Sequence, residues 1–357
     1  MVYQNKEIFQ VFYGGKRISK VYLGDINVFG GAGVFKATLF SALINGDLYF
    51  WDGSADPMYF SKYDTGVSDI SPVFNMEQQS GDLANIDYYA FYIKNGIMHV
   101  IKMMKDGTVV TEPLDLGSGW TTVTMDRFQI YSSSTNALGY GYTVGIRNGR
   151  VMACLYPSYL LKYGESNETY FRDWSYYLKY DTNSIKIKKV LSDFRTGDSG
   201  GIKGSFAFAL ATDGKMYCAR GRDFGWRVFS RFSDPVTDIV RDPYGRIHCI
   251  SGNKEYSFTP SSGNSDGGYA SYEGDVESSR FPTLKSYAHY SIQDGVIYSG
   301  KNVLDDTAPE NFVFLYGVSM FDDGYVDDYL MALTADGKLY RFIGSNELVF
   351  LANIREG

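Results

Sequence analysis

Seven times the chain repeats one short phrase: a largely apolar strand, an Asn-Gly or Asp-Gly step, and a second strand with an aromatic or small residue near its end. The copies are FSALINGDLYFWDG (residues 40–53), YAFYIKNGIMHVIK (89–102), YTVGIRNGRVMACLY (142–156), FAFALATDGKMYCARG (206–221), DIVRDPYGRIHCISG (238–252), AHYSIQDGVIYSG (288–300) and YLMALTADGKLYRFIG (329–344). Asn-Gly and Asp-Gly between alternating strands are the strongest short-range hairpin signal in a single sequence, because the tight turn needs positive φ. The register glycines Gly46, Gly96, Gly149, Gly214, Gly245, Gly295 and Gly337 are spaced by 50, 53, 65, 31, 50 and 42 residues. One hairpin per unit of about fifty residues, with no helical periodicity between, is the pattern of a β-propeller, whose radial closure removes most exposed sheet edges. The expected fold is all-β, a propeller of about seven blades over residues 34–357. The 31-residue spacing is short for a four-stranded blade, so six and eight blades also fit.

A second element recurs before some hairpins: YDTGVSDIS (63–71) and FSDPVTDIV (232–240) each carry a turn followed by Val-x-Asp-Ile. These read as the strands that open blades. Val-x-Asp-Ile, an alternating strand, Asp-Gly-Lys-Leu-Tyr and a closing glycine together resemble the repeats of the RCC1-like propeller superfamily. That family's own glycine and histidine signatures are poorly kept here. The resemblance covers roughly residues 34–354 and implies a fold, not a function, since propellers host many unrelated activities.

Residues 1–33 keep a different metre. Val11 to Ile18 aligns with Val21 to Val28 at a spacing of ten, each unit closing a β-branched and aromatic run with Gly14-Gly15 or Gly24-Asp25. The expectation is a small three-strand meander that buries too little to stand alone and docks on something else. The alternative is that it is simply the first sheet of the main domain.

The net charge of -7, without a Lys/Arg run, argues against a nucleic-acid surface. No apolar run is long enough for a membrane helix, and no secretory signal pattern opens the chain, so a soluble cytoplasmic product is expected. Cys154, Cys218 and Cys249 form no Cys-x-x-Cys, and His99, His248 and His289 no His-x-x-x-His; neither a disulfide framework, a metal nor a cofactor is signalled. His99 and His248 both stand three residues after a register glycine, where Tyr49, Tyr217, Tyr298 and Tyr340 stand elsewhere. Cys218 and Cys249 both stand four after it, so all four read as packing residues. No Gly-x-Ser-x-Gly nucleophile or phosphate loop is present. The acidic run FDDGYVDD (321–328) fails EF-hand spacing and reads as a solvated turn.

Two insertions stand out. YPSYLLKYGESNETYFRDWSYYLKYD (156–181) crowds Tyr159, Tyr163, Tyr170, Trp174 and Tyr177 together. Alternation within it fits an extra strand pair; the functional alternative is an aromatic patch that stacks on sugar or anchors a protein. TPSSGNSDGGYASYEGD (259–275) is Gly/Ser-rich and reads as a surface loop.

The opening segment resembles the N-terminal leaders of bacteriophage virion proteins, especially appendage subunits. The matching residues are Lys6, Ile8, Val11, Tyr13, Gly14, Ile18, Lys20, Val21, Tyr22, Gly24, Val28 and Phe29. The resemblance implies a non-enzymatic virion structural protein, a tail or head fibre or decoration subunit made in the host cytoplasm. Val11, Tyr13, Gly14, Ile18, Val21, Tyr22, Gly24 and Val28 would anchor it to other virion proteins, and the propeller would serve assembly or meet a bacterial surface glycan or receptor, with an oligomer compatible. The alternatives are a polysaccharide-degrading enzyme of the same particle, working through two carboxylates, and a cellular propeller scaffold that binds a protein.

Overall fold

A computed structural model describes residues 2–3, 6–7, 11–13, 16–18, 20–23, 26–30, 35–54, 58–76, 81–131, 138–154, 156–163, 171–173, 185–193, 206–220, 226–229, 232–241, 247–260, 268–275, 286–287, 290–305, 309, 311–322, 325–343 and 347–355. The leader holds six short strands: β1 (Val2–Tyr3), β2 (Lys6–Glu7), β3 (Val11–Tyr13), β4 (Lys16–Ile18), β5 (Lys20–Leu23) and β6 (Ile26–Gly30). They pair as β1-β2, β3-β4 and β5-β6. Among the described residues the leader strands thus pair two by two, where a three-strand meander was expected. Val11 pairs with Ile18 and Tyr13 with Lys16, so each repeat unit folds back on itself instead of onto its neighbour.

Among the described residues twenty-eight further strands follow as seven antiparallel groups of four. Blade 1 is β7 (Phe35–Ala37), β8 (Ser41–Ile44), β9 (Asp47–Trp51) and β10 (Tyr59–Thr65); blade 2 is β11 (Val67–Asn75), β12 (Ile86–Lys94), β13 (Ile97–Met104) and β14 (Val109–Ser118). Blade 3 is β15 (Trp120–Tyr131), β16 (Leu138–Arg147), β17 (Arg150–Cys154) and β18 (Phe171–Asp173), with helix α1 (Pro157–Tyr163) between its last two strands. Blade 4 is β19 (Ile187–Asp193), β20 (Phe206–Ala211), β21 (Met216–Arg220) and β22 (Trp226–Val228). Blade 5 is β23 (Val236–Arg241), β24 (Ile247–Ser251), β25 (Lys254–Pro260) and β26 (Gly268–Asp275). Blade 6 is β27 (Ser286–Tyr287), β28 (Tyr290–Gln293), β29 (Val296–Ser299) and β30 (Asn302–Val303). Blade 7 is β31 (Phe312–Asp322), β32 (Tyr325–Thr334), β33 (Lys338–Ile343) and β34 (Glu347–Arg355). The molecule is a seven-bladed β-propeller. The expected blade openers are confirmed: Val-x-Asp-Ile begins β11 and β23.

Each blade is a sheet with two apolar faces, and each face is buried against a neighbour. In β12, Ala90 and Tyr92 pack with Leu43, Leu48 and Phe50 of blade 1. Tyr89, Phe91 and Ile93 of the same strand pack with Trp120, Val123 and Val144 of blade 3. This is strand alternation with both sides used, so second strands read as almost continuous apolar runs.

The recurring glycine has a second task beyond its turn. Asn45 and Gly46 have φ of 53° and 94°, the pair of positive values a two-residue hairpin turn requires. The Gly46 carbonyl then accepts the Val67 amide of the next blade at 2.9 Å. The same bond joins Trp120 to Gly96 (3.1 Å), Ile187 to Gly149 (2.8 Å), Val236 to Gly214 (2.8 Å) and Phe312 to Gly295 (2.9 Å). An added Cβ would lie 2.6 Å from Pro235 Cβ at Gly214 and 2.6 Å from the Asn311 amide nitrogen at Gly295. The phrase visible in the sequence is thus a blade-to-blade joint as well as a turn.

Blade 5 corrects the expected register. Its second and third strands meet at Ser251 and Lys254, around Gly252, while Gly245 lies outside the described residues, between β23 and β24. Spacings of 38 and 43 residues then replace 31 and 50, which removes the short blade. His248 and Cys249 consequently lie on the second strand of their blade, not on the third strand where His99 and Cys218 lie. Their expected equivalence does not hold.

First strands run beside first strands of neighbouring blades (β11 with β15, β15 with β19, β31 with β7), as strands converging on an axis must. The ring closes at its rim. Outer strands β10 and β34 pair in parallel, Tyr59 with Asn353, Phe60 with Ile354 and Ser61 with Arg355. Beneath this seam, Phe35 stacks on Phe314 with ring centroids 5.4 Å apart, in one core with Ala37, Phe60, Met331 and Ala352. No described leader strand belongs to a propeller sheet.

Candidate interaction surfaces

Val-x-Asp-Ile builds the inner ring. In blades 2, 3, 4, 5 and 7 the pairing of the first strand skips one residue, as where Val67 faces Lys94 but Asp69 faces Ile93. The bulged position is Ser68, Thr121, Lys188, Thr237 or Val313. The residue after it is Asp69, Thr122, Lys189, Asp238 or Phe314, and Lys36 holds the matching place in blade 1 opposite Leu43. Asp69 accepts the Ile70 amide (3.0 Å), the Val123 amide of blade 3 (2.9 Å) and the Lys36 ammonium of blade 1. One carboxylate therefore ties three blades together. Asp238 accepts the Ile239 amide (2.7 Å) and Lys189 of blade 4 (2.9 Å).

The polar groups that sequence patterns offer to chemistry are engaged in structure. Tyr92 donates to Asp64 at 3.0 Å and stacks on His99 with centroids 5.1 Å apart, while Lys94 also donates to Asp64. Burial, which would raise the Asp64 carboxyl, is outweighed by hydrogen bonds from Lys94, the Thr65 amide and Tyr92, and its pKa lies below the usual value. Burial lowers His99 and raises the thiols of Cys154 and Cys249. His248 is buried and donates from Nδ1 to Glu255 at 2.7 Å. Among the described residues, no group of three or more His, Cys, Asp and Glu side chains could hold a metal ion. Neither is any described helix long and apolar enough to cross a membrane.

The expected site residues separate. Val11, Tyr13, Ile18, Val21, Tyr22 and Val28 lie on β3 to β6, with Val21 opposite Phe29 and Tyr22 opposite Asn27. Gly14 and Gly24 are outside the described residues, as are Tyr170, Trp174 and Tyr177. Tyr159 and Tyr163 lie on α1, so the start of the tyrosine-rich insertion is a helix and not the expected strand pair. Pro157 at its first position suits a helix start, and Leu160 is buried beside the core of blades 2 and 3. Half-buried Tyr159 meets exposed Tyr156 edge to face at 5.0 Å. Of the rest of the insertion the described residues are Phe171–Asp173, which form β18, the fourth strand of blade 3. The acidic run at 321–328 spans the ends of β31 and β32, where Asp322 pairs with Tyr325.

The Gly/Ser-rich insertion is corrected too. Its described parts are β25 and β26, an antiparallel pair in which Tyr256 faces Tyr272 and Phe258 faces Ala270. Tyr269 and Tyr272 stand 52% and 55% exposed on this outer strand. Tyr272 meets Tyr256 edge to face at 5.9 Å and donates to Asp275 at 2.8 Å. The aromatic residues of this strand, Tyr269 and Tyr272, stand three apart among small ones, so no period-two pattern set itself against the loop-like glycine and serine content.

No protein-family model and no curated protein matches the chain. It is similar to the solved structure of YCF48 from Cyanidioschyzon merolae at 12% identity and a TM-score of 0.37, covering 80% of this chain and 84% of that one. The Cps50 (Swd1) β-propeller domain of Myceliophteria thermophila is similar at 10% identity and 0.34, over 89% and 85%. BBS1N in complex with ARL6DN is similar at 12% and 0.36, over 90% and 80%. At these identities and scores the propeller is read from the sheet order itself.

Proposed function

We propose that this chain is a non-enzymatic structural and interaction protein of a bacteriophage virion. The leader fastens it to other virion proteins, and the propeller is displayed for assembly or for contact with a bacterial surface glycan or receptor. The observation that carries this reading is the closure of the ring. Seven complete blades and the β10–β34 seam use only strands between Phe35 and Arg355, so the three leader hairpins are left over. A two-stranded hairpin is marginal by itself and gains stability when a partner covers it. A non-enzymatic role is supported by the part His99, His248, Cys154 and Cys249 play in packing and by the hydrogen bond of His248 with Glu255. The RCC1-like affiliation belongs to the same proposal as a likeness of repeat grammar.

Deletion of residues 1–33 in the genome that encodes the chain, followed by immunoblotting of purified particles for the propeller, tests the reading. Loss of the propeller from particles is expected. Undiminished incorporation overturns the anchoring role. Release of reducing ends from host capsule by the purified protein would overturn the non-enzymatic part.

A further inference from the structure

A propeller with seven outer strands has seven potential sticky edges, and this one blunts all but one among its described residues. Outer strands β10 and β34 cover each other. Strands β18, β22 and β30 are only three, three and two residues long. Strand β14 carries Pro113. Shortness and proline are among the usual protections of a sheet edge. The exception is β26, eight residues of sequence GYASYEGD with no proline and no lysine. It stays in regular register from Gly268 to Tyr272, slips only past Tyr272, and exposes Tyr269 and Tyr272. Its charged residues are Glu273 and Asp275, both acidic and exposed.

The chain also contains a strand-forming segment of opposite charge. Residues 1–33 hold Lys6, Lys16, Arg17 and Lys20 against Glu7 and Asp25, a net of +2; the remainder, with 30 basic and 39 acidic residues, carries -9. Three of the four leader cations fall within five residues, on β4 and β5, and each leader sheet has only two strands.

We propose that residues 16–23 of one copy add to the outer edge of β26 in a second copy, as a fifth strand of blade 5. Backbone hydrogen bonds supply the pairing, and Lys16, Arg17 and Lys20 approach Glu273 and Asp275. Tyr269 and Tyr272, three residues apart and so on opposite faces of β26, offer the added strand one rigid aromatic contact on each face. Donor and acceptor surfaces differ, so the contact is heterologous and propagates head to tail into a filament or ring. The proposal goes beyond the virion reading and holds whether or not the particle is a virion.

The test mixes nitrogen-15-labelled and unlabelled full-length protein and couples amines to carboxylates with a zero-length cross-linker. Mixed-isotope links from Lys16 or Lys20 to Glu273 or Asp275 are expected. Links within one copy only, or none at all, overturn the proposal. In sedimentation of the full chain, Lys16→Glu with Lys20→Glu is expected to weaken self-association by about tenfold or more, and Ser271→Pro to do the same at the edge. The leader variant leaves the propeller untouched, so unchanged association of that variant refutes the assignment even if Ser271→Pro unfolds blade 5.

Discussion

Asp69 and Asp238 occupy the same place in the same phrase, yet their removal should have unequal cost. Asp69→Ala strips acceptors from the Ile70 and Val123 amides and removes the ion pair with Lys36. The Asp69 side chain is 6% exposed and Asp238 24%, so water replaces the lost carboxylate readily only in blade 5. A buried donor left unsatisfied costs about 1–3 kcal/mol, and a partly exposed ion pair adds at most ~1 kcal/mol. Two amides and the pair give roughly 3–5 kcal/mol for Asp69→Ala. One amide and a more exposed pair give roughly 1–2 kcal/mol for Asp238→Ala. With a urea dependence of about 3 kcal/mol per molar or steeper for a chain of this size, the midpoint should fall by roughly 1 M in the first variant and by less than half of that in the second. Equilibrium unfolding followed by tryptophan fluorescence and far-UV circular dichroism reads both. Equal shifts, or a larger loss at Asp238, would refute the idea that Asp69 ties three blades.

Further consequences are open to equally direct tests. Gly214→Ala places a Cβ 2.6 Å from that of Pro235 at φ +80°, whereas Gly53→Ala, at φ +86°, meets nothing within 4 Å. The second should cost only the ~1–2 kcal/mol of left-handed backbone, and Gly214→Ala measurably more in the same denaturation assay. Because the Asp64 carboxyl is held below its ordinary 3.8, its contribution is present above about pH 4 and is lost as pH falls through the folded value. Asp64→Asn should therefore flatten the acid side of the melting-temperature profile, and an unchanged acid slope would count against its bonds with Tyr92 and Lys94. Removing residues 352–357 deletes the β34 half of the rim seam. Hydrogen exchange should then accelerate in β10 while β12 and β13 keep their protection; uniform loss would mean that the ring opens elsewhere.

The turns were legible because few residues other than glycine and asparagine tolerate positive φ, and seven hairpins recurring about every fifty residues leave few alternatives to a propeller. The same rule misled in blade 5, where the turn between second and third strands begins with Gly252 before Asn253 while an unrelated Pro-Tyr-Gly precedes the second strand. That misplacement carried His248 and Cys249 into a false equivalence with His99 and Cys218. Composition hid β26, since glycine and serine suggest a loop and Tyr269 and Tyr272, three residues apart, give no period-two alternation to set against it. The strands of the inner ring were legible in Val-x-Asp-Ile, but their ion pairs were not. Lys36 meets Asp69, and Lys189 meets Asp238, only once the blades are set side by side, and nothing in their local sequence names the partner.

Thermal unfolding of the full chain and of residues 34–357, compared at high dilution, tests most directly whether the propeller closes without its leader. The account predicts melting temperatures that agree within about 2 °C, since no propeller sheet borrows a leader strand. A drop several times larger in the shortened chain would make residues 1–33 part of the fold and contradict the division of labour between leader and propeller.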